Sequence, residues 1–266
     1  MGCQSKRAKG AQLRMDNILS PITKNNRAFF LAYDQGLEHG PSDFNDENAD
    51  PEYIMQLAES GFFTGVIFQK GIAEKYYDKT KHKTPLIVKL NGKTNLVKDT
   101  EPYSPPLCSI EEALRIGAKA VGYTIFVGSE IEAQMTRELA PLEAEAHKNN
   151  LPLILWMYPR GKAVEGKEHT GEIVQYAARM GLELGADIVK VYRPTDNTPL
   201  SKIVEFAGRT KVVFSGGSKE TDEELYETAK KIIEADAIGM AVGRNIWQAE
   251  NALERANKLN EIIINI

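Results

Sequence analysis

The fold is decided by the stretch LPLILWMYPRGKAVEGKEHTGEIVQYAARMGLELGADIVKVYR, residues 151–193. It begins with the apolar run 151–158, continues through a segment of helical periodicity at 171–186, and ends with a second apolar run at 187–193. Near-continuous apolar runs are typical of strands buried on both faces of a parallel sheet, and Gly185 suits the end of the helix between them. The stretch therefore predicts a strand–helix–strand unit.

The same alternation extends outward in both directions from this unit. Six further strands are predicted at 28–34, 63–69, 85–91, 120–127, 211–217 and 237–243. Helical segments are predicted at 51–61, 109–118, 130–149, 199–208, 221–235 and from 248 onward. Ser109 and Thr221 each precede a glutamate by three residues, as in a capping box, and Gly117 suits a helix end. Eight units of this kind predict an α/β fold, a single (β/α)₈ TIM barrel.

The length of 266 residues would suit one barrel or two smaller domains, and the absence of a Pro/Gly/Ser-rich linker favours one. We predict an N-terminal arm and lead-in over residues 1–27 and a barrel catalytic domain over residues 28–266. The opening MGCQSKRAKG lacks the apolar stretch of a signal peptide, and Lys6 stands where a myristoylation motif has Ser or Thr.

Composition excludes several classes of partner and cofactor. A formal net charge of −4 argues against nucleic acid, and no apolar run approaches the roughly 20 residues needed to span a membrane. Two cysteines, Cys3 and Cys108, are too few for a disulfide framework, which fits a reduced cytoplasm. No cofactor and no metal are expected, because the four histidines lack the spacing of a ligand cluster. They are His39, His82, His147 and His169.

A lysine in the sixth predicted strand is the first candidate for chemistry. With a period of two, Lys190 shares a face with Ile188 and Tyr192, and the opposite apolar face suits the surrounding helices. Burial would then favour the neutral, nucleophilic amine, which can form an imine with a carbonyl compound. From spacing alone, Lys190 could instead pair with Asp187 or reach solvent from the strand end, and rival nucleophiles exist. These are Lys89 and Lys70.

Polar residues also follow the fifth and first strands, where the active site of a barrel lies. Trp156, Tyr158 and Arg160 alternate at the end of strand five, so a phenol able to exchange protons and a guanidinium suited to phosphate share one face. Asp34 and His39 lie in the turn DQGLEHGP after strand one. Aromatic residues are also ordinary in strands, and Gly and Pro are ordinary in turns, so structural roles stay open.

Glycines follow the seventh and eighth strands in the sequences SGGSK and VGRN. Backbone N–H groups after these two strands often hold phosphate in barrel enzymes. The candidate phosphate ligands are Ser215, Gly216, Gly217, Gly243 and Arg244. We therefore expect a phosphorylated substrate, although the glycines could serve the turns alone.

Taken together, five motifs resemble the archaeal-type class I fructose-1,6-bisphosphate aldolases and related bacterial barrel aldolases. They run in order from about residue 28 to residue 248: AYDQGLEHGP, LWMYPRG, DIVKVYR, VVFSGGSK and MAVGRNIWQ. The related synthases of a seven-carbon amino-sugar precursor tend to have a shorter DHG turn after strand one. The turn DQGLEHGP is more similar to the bisphosphate aldolases.

The resemblance implies a lyase of glycolysis and gluconeogenesis in which Lys190 forms a Schiff base with the sugar. It further implies that Tyr158 is the main general acid and base, that Asp34 assists, and that Trp156 walls the site. Ser215, Gly216, Gly217, Gly243 and Arg244 would bind the phosphate of the dihydroxyacetone half, and Arg160 and His39 would lie toward the other half. The family also implies a homo-oligomer, often a decamer built from pentamers, in which the ending EIIINI could cover a neighbouring subunit.

Two other functions share these features. A transferase with the same imine chemistry, such as 2-amino-3,7-dideoxy-D-threo-hept-6-ulosonate synthase, would use the same residues and differ in its products. A barrel that binds a phosphosugar without turnover would trap no imine.

Overall fold

Eight parallel strands, each hydrogen-bonded to the next, close into a barrel in which β8 pairs with β1. The computed structural model describes residues 17–96 and 101–265. The strands are β1 Ala28–Tyr33, β2 Gly65–Gln69, β3 Leu86–Lys89, β4 Ala120–Val127, β5 Leu153–Pro159, β6 Ile188–Val191, β7 Lys211–Ser215 and β8 Gly239–Val242. The predicted (β/α)₈ barrel is confirmed, and most strands are shorter by one to three residues than their apolar runs.

Helices cover the outside of the barrel between these strands. Within the described residues they are α1 Gly36–His39, α2 Pro51–Ala58, α3 Lys70–Tyr76, α4 Ile110–Ile116, α5 Glu132–Lys148, α6 Gly171–Glu183, α7 Leu200–Ala207, α8 Asp222–Glu234, α9 Arg244–Trp247 and α10 Ala252–Ile264. Both predicted capping boxes form, at the starts of α4 and α8, and Gly117 ends α4 in the left-handed conformation. Helices α1, α3 and α9 were not predicted, because α1 and α9 have only four residues each and the polar sequence KGIAEKY of α3 has little helical periodicity.

Side chains of the strands separate into an inner layer and an outer layer, as a period of two requires. Ile188 belongs to the layer that fills the barrel, together with Phe30, Ile87 and Ile154. Val189 and Val191 belong to the outer layer, which packs against the helices. The predicted faces of β6 are therefore confirmed, and the side chain at position 190 follows Ile188 on the inner face.

The amino end of the barrel is closed by the segment that precedes β1. Leu19 and Ile22 are 4% and 0% exposed and pack against the inner layer. The predicted lead-in of residues 1–27 thus contributes to the barrel core from residue 19 onward, and residues 1–16 lie outside the described residues.

The apolar C-terminal segment is used within the chain itself. Ile262, Ile263 and Ile264 of α10 are buried in the core, and the side-chain amide of Asn25 donates to the Ile264 carbonyl at 3.0 Å. The expectation that EIIINI covers a neighbouring subunit is therefore wrong for these three isoleucines, because they already have partners. Across residues 17–96 and 101–265, we find no helix with the length and apolar character required to cross a membrane.

A small polar network holds the amino ends of β5 and β6 together. Asp187 accepts a hydrogen bond from the Leu153 backbone at 2.9 Å and lies 3.2 Å from Nε2 of His147. The other ring nitrogen of His147 lies 2.7 Å from a Glu143 oxygen. The hydrogen bond to Asp187, and the charges of both carboxylates, raise the pKa of His147 against the opposing effect of burial. Asp187 is therefore engaged here and does not pair with Lys190.

We predict that His147→Gln removes a pH-dependent part of the stability. The raised folded-state pKa means that the protonated histidine stabilises the fold fully below the unfolded pKa of about 6.5, and that this contribution disappears as pH rises through the folded pKa. The wild type should exceed the variant by about 1 kcal/mol at acid pH, with the difference shrinking toward alkaline pH. Urea unfolding of both proteins across this pH range measures the difference in stability. A difference that does not change with pH would contradict the stabilising role of the protonated His147.

Candidate active site

One cavity of about 710 Å³ opens at the carboxyl ends of the strands. Apolar strand residues form its floor, and polar residues from the loops after β1, β3, β5, β7 and β8 form its walls. The structure brings every predicted site residue to this cavity. These residues are Asp34, His39, Trp156, Tyr158, Arg160, Lys190, Ser215, Gly216, Gly217, Gly243 and Arg244.

Lys190 lies deep in the cavity and is 6% exposed. Its Nζ is 5.0 Å from the centroid of the Trp156 ring, and no hydrogen-bond acceptor contacts it among the described residues. Burial lowers the pKa of Lys190 to about 8, with a contribution from the positive charge of Lys89 against the attraction of Asp34. An amine with this pKa is partly neutral near physiological pH and can attack a carbonyl carbon.

The two rival lysines have different surroundings. Lys89, at the end of β3, also lies in the cavity, but its Nζ is 3.5 Å from the Asp34 carboxylate. Lys70 begins α3, pairs with Glu112 and does not line the cavity. Of the three lysines, Lys190 alone has no ion-pair partner within the described ranges, which is the condition for a nucleophilic amine.

Trp156 and Tyr158 on β5 form the wall beside Lys190. The Trp156 side chain is 1% exposed and packs against Gly122, where an added Cβ would lie 2.0 Å from the indole. Its Nε1 has no hydrogen-bond partner in the described part of the chain. Tyr158 stacks parallel to Tyr192 with ring centroids 4.4 Å apart. Burial is the largest cause that raises the pKa of Tyr158 well above its ordinary value, so the phenol is protonated at neutral pH.

The loop after β1 crosses the mouth of the cavity and contacts both sides. Glu38 pairs with Arg160 on the β5 side, and the Nε of Arg160 donates to the Tyr192 hydroxyl at 3.1 Å. His39 lies 2.6 Å from Asp43, whose other oxygen is 3.5 Å from Arg244. His39 and Arg160 were expected on the same half of the substrate. In the structure His39 connects through Asp43 to Arg244, and its place relative to the two halves of the substrate stays a prediction.

The glycine loops after β7 and β8 face each other across one side of the cavity. Ser215 ends β7, and Arg244 begins α9 directly after Gly243. Gly217 has φ of +72°, a conformation that glycine adopts without strain. Gly216 differs from expectation, because its N–H already donates to the Ala241 carbonyl at 2.9 Å. Its backbone is therefore not a free donor, although the residue lines the cavity.

Several cavity residues were not singled out from the sequence. Tyr192 could have been found, since it shares the inner face of β6 with Lys190. Lys93 and His169 follow strands at loop positions, and Asn245 lies in the four-residue helix α9; no periodicity predicts the direction of a side chain at these places. Burial lowers the pKa of Lys93. Among residues 17–96 and 101–265, no group of three or more His, Cys, Asp and Glu side chains is arranged to hold a metal ion.

Comparison with known proteins agrees with this geometry. Residues 28–249 match the model of the DeoC/LacD family aldolases. The chain belongs to this family. It is 48% identical to the class 1 fructose-bisphosphate aldolase of Thermoproteus tenax, over 93% of this chain and 94% of that protein. It is 41% identical to the class 1 fructose-bisphosphate aldolase of Halobacterium salinarum, over 92% of this chain and 93% of that protein.

A solved structure extends the comparison to three dimensions. The archaeal fructose-1,6-bisphosphate aldolase whose catalytic lysine is covalently bound to the carbinolamine intermediate of its substrate has a TM-score of 0.89 with this aldolase. The two are 47% identical, and the match covers 94% of this chain and 99% of that one. The predicted resemblance to the class I aldolases is thereby confirmed.

We predict that Lys190 reacts with a small amine-reactive compound such as cyanate at a lower pH than exposed lysines do. Its lowered pKa makes the neutral amine half-populated near pH 8, about 2 pH units below an exposed lysine. Peptide mass mapping of carbamylation against pH measures this, and exposed lysines in the same digest are the internal control. Modification of Lys190 in parallel with those lysines would contradict the prediction.

Proposed function

We propose that this chain is a class I fructose-bisphosphate aldolase that reversibly cleaves fructose 1,6-bisphosphate to dihydroxyacetone phosphate and glyceraldehyde 3-phosphate. The observation that carries the proposal is the buried amine of Lys190, which has no ion-pair partner among the described residues and lies in one cavity with Tyr158 and the glycine loops. The relatives named above, similar over almost the whole chain, support the same reaction.

In this proposal the first steps form the imine. The neutral amine of Lys190 attacks C2 of the open-chain sugar and gives a carbinolamine. Tyr158 is the proposed acid: its protonated phenol donates the proton that allows the carbinolamine hydroxyl to leave as water. The products are a positive iminium on Lys190 and a negative tyrosinate. The iminium stabilises the tyrosinate, since Nζ of Lys190 lies only 5.9 Å from the Tyr158 ring centroid.

The positive iminium and the negative tyrosinate then drive cleavage of the sugar. The tyrosinate takes the proton of the C4 hydroxyl, the C3–C4 bond breaks, and its electron pair moves into the iminium to give an enamine and the free aldehyde. Tyr158 returns its proton to C3 of the enamine, which gives the iminium and the tyrosinate again. Water then hydrolyses the iminium, the proton that is released returns to Tyr158, and Lys190 is regenerated as the amine. Protons and electrons balance without a further reactant. Asp34, which pairs with Lys89, is proposed to orient the sugar hydroxyls beside this centre.

We assign the phosphate next to the ketone to the loops after β7 and β8. The donors available there are the Ser215 hydroxyl, the backbone N–H groups of Gly217 and Gly243, and the Arg244 guanidinium. Gly216 contributes by allowing close approach, since its N–H is engaged. Arg160 is the proposed contact for the other half of the sugar. His39, linked to Arg244 through Asp43, is proposed to support the first phosphate instead.

Further expectations concern the enzyme in its setting. We propose a cytoplasmic homo-oligomer that acts in glycolysis and gluconeogenesis, where the cleavage runs in either direction. The family resemblance supports a high-order assembly such as a decamer, and analytical ultracentrifugation would count the subunits.

Borohydride reduction tests the function directly. With dihydroxyacetone phosphate present, we expect inactivation and the added mass on Lys190, because reduction converts the imine to a stable amine. Lys190→Met should abolish the label, and Lys70→Met, outside the cavity, should keep it. Label on Lys89 would overturn the assignment, and no label at all would favour a barrel that binds without turnover. Tyr158→Phe should form the imine more slowly, because the carbinolamine loses its proton donor, and should lower turnover about 10²- to 10⁴-fold.

Arg244→Ala tests the phosphate assignment. We expect the Michaelis constant for fructose 1,6-bisphosphate to rise roughly 10- to 100-fold, as the loss of a charge-assisted hydrogen bond implies. A substrate without the phosphate next to the ketone should be affected much less, because it places no dianion there. Equal losses for the two substrates would show that Arg244 supports the fold or another part of the site.

A further inference from the structure

The loop that follows β7 is held from behind by a single buried side chain. Asn245 in α9 is 2% exposed. Its Nδ2 donates to the carbonyl of Gly216 at 3.0 Å and to that of Ser218 at 2.8 Å. Its Oδ1 accepts from the backbone N–H of Glu220 at 2.9 Å. One amide therefore fixes three points within five consecutive residues of the loop.

A second contact fixes the outer end of this loop. Arg193, which follows β6, donates to Glu220 at 2.7 Å and to the Thr228 hydroxyl at 3.0 Å. An added Cβ on Gly217 would lie 3.0 Å from the Arg193 guanidinium, so the arginine packs directly against the loop backbone. The loop thus connects α8, α9 and the end of β6 and has little freedom to move.

The hydrogen bond from Asn245 to the Gly216 carbonyl also sets the direction of the next backbone N–H group. In a planar trans peptide the C=O and N–H groups point in opposite directions. Because the Gly216 carbonyl is directed at Asn245, the N–H of Gly217, in the same peptide plane, is directed away from it. Asn245 also has no donor left for a phosphate, since both Nδ2 hydrogens are engaged and its Oδ1 can only accept. Its influence on a ligand must therefore pass through the loop.

We propose that Asn245 is a positioning residue that aims the loop Gly216–Glu220 at the substrate phosphate and so sets the affinity for phosphorylated substrates. This inference rests on the proposed phosphate site at the same loop. Without the amide, the carbonyls of Gly216 and Ser218 lose their donor, and the left-handed Gly217 between them can rotate. The donors are then no longer fixed before the ligand arrives, so binding must also order the loop.

Asn245→Asp keeps the shape and the acceptor, replaces the donor by an oxygen and also adds a negative charge. We expect a roughly tenfold rise in both the Michaelis constant for fructose 1,6-bisphosphate and the inhibition constant of inorganic phosphate, equivalent to about 1.4 kcal/mol. Imine trapping with unphosphorylated dihydroxyacetone should keep the wild-type rate. Asn245→Ser, which is smaller and neutral, should show the same split, because it removes the amide donor without adding that charge.

Asn260→Asp is the matched control. Asn260 is also buried, and its Nδ2 donates to the Phe62 carbonyl at the opposite end of the barrel. Asn260→Asp should lower the melting temperature about as much as Asn245→Asp does, without changing the inhibition constant of inorganic phosphate. If the Asn245 variants lose stability but bind phosphate normally, or lose trapping of dihydroxyacetone equally, the positioning role is overturned.

The two proposals fail in different ways. If Arg244→Ala and Asn245→Asp both leave phosphate inhibition unchanged while borohydride still labels Lys190, the phosphate site itself is elsewhere. If Arg244→Ala weakens phosphate binding and Asn245→Asp does not, the site stands and only the positioning role fails.

Discussion

The burial of one amine inside a closed barrel is the constraint on which the rest of the site depends. A parallel barrel offers its inner face only to side chains that fill it, and Ile188 and its neighbours do so with hydrocarbon. Lys190 occupies the next inward position of β6, where water is scarce and a full positive charge is costly. The strand register that fixes the core therefore also fixes the chemistry of this lysine.

The groups around Lys190 follow from this constraint. Gly122 leaves room for the Trp156 indole, whose ring centroid lies 5.0 Å from the Nζ atoms of both Lys190 and Lys89. Both buried lysines contact the same aromatic wall, but Asp34 pairs with Lys89 and leaves Lys190 without a counter-ion among the described residues. Burial also affects Tyr158, but it raises the pKa of this phenol whereas it lowers the pKa of the Lys190 amine. In both cases the buried site disfavours the charged form of the group. The proton donor is thus neutral in the resting site, and the nucleophile is partly neutral near physiological pH.

The sequence predicted those features that depend on strand periodicity. The eight strands, the inward face of Lys190 and the position of Ser215 at a strand end all follow from a period of two and from the polarity of the barrel. Features that depend on loop geometry were not predictable in the same way. The direction of His39 depends on the short helix α1, and the role of Asn245 depends on hydrogen bonds between residues 25 to 29 positions apart. The burial of Ile264 required knowing that α10 packs back onto the barrel.

The ion pair between Glu38 and Arg160 affects how an anionic ligand binds at the mouth of the barrel. The resting enzyme supplies its own counter-ion to this guanidinium, so an anionic ligand that reaches Arg160 exchanges with a carboxylate instead of displacing only water. Arriving ligand and released carboxylate carry charge of the same sign, and departure of the ligand restores the internal pair. The Glu38 carboxylate therefore competes with an anionic ligand for Arg160. This competition weakens the binding of the ligand and speeds its release.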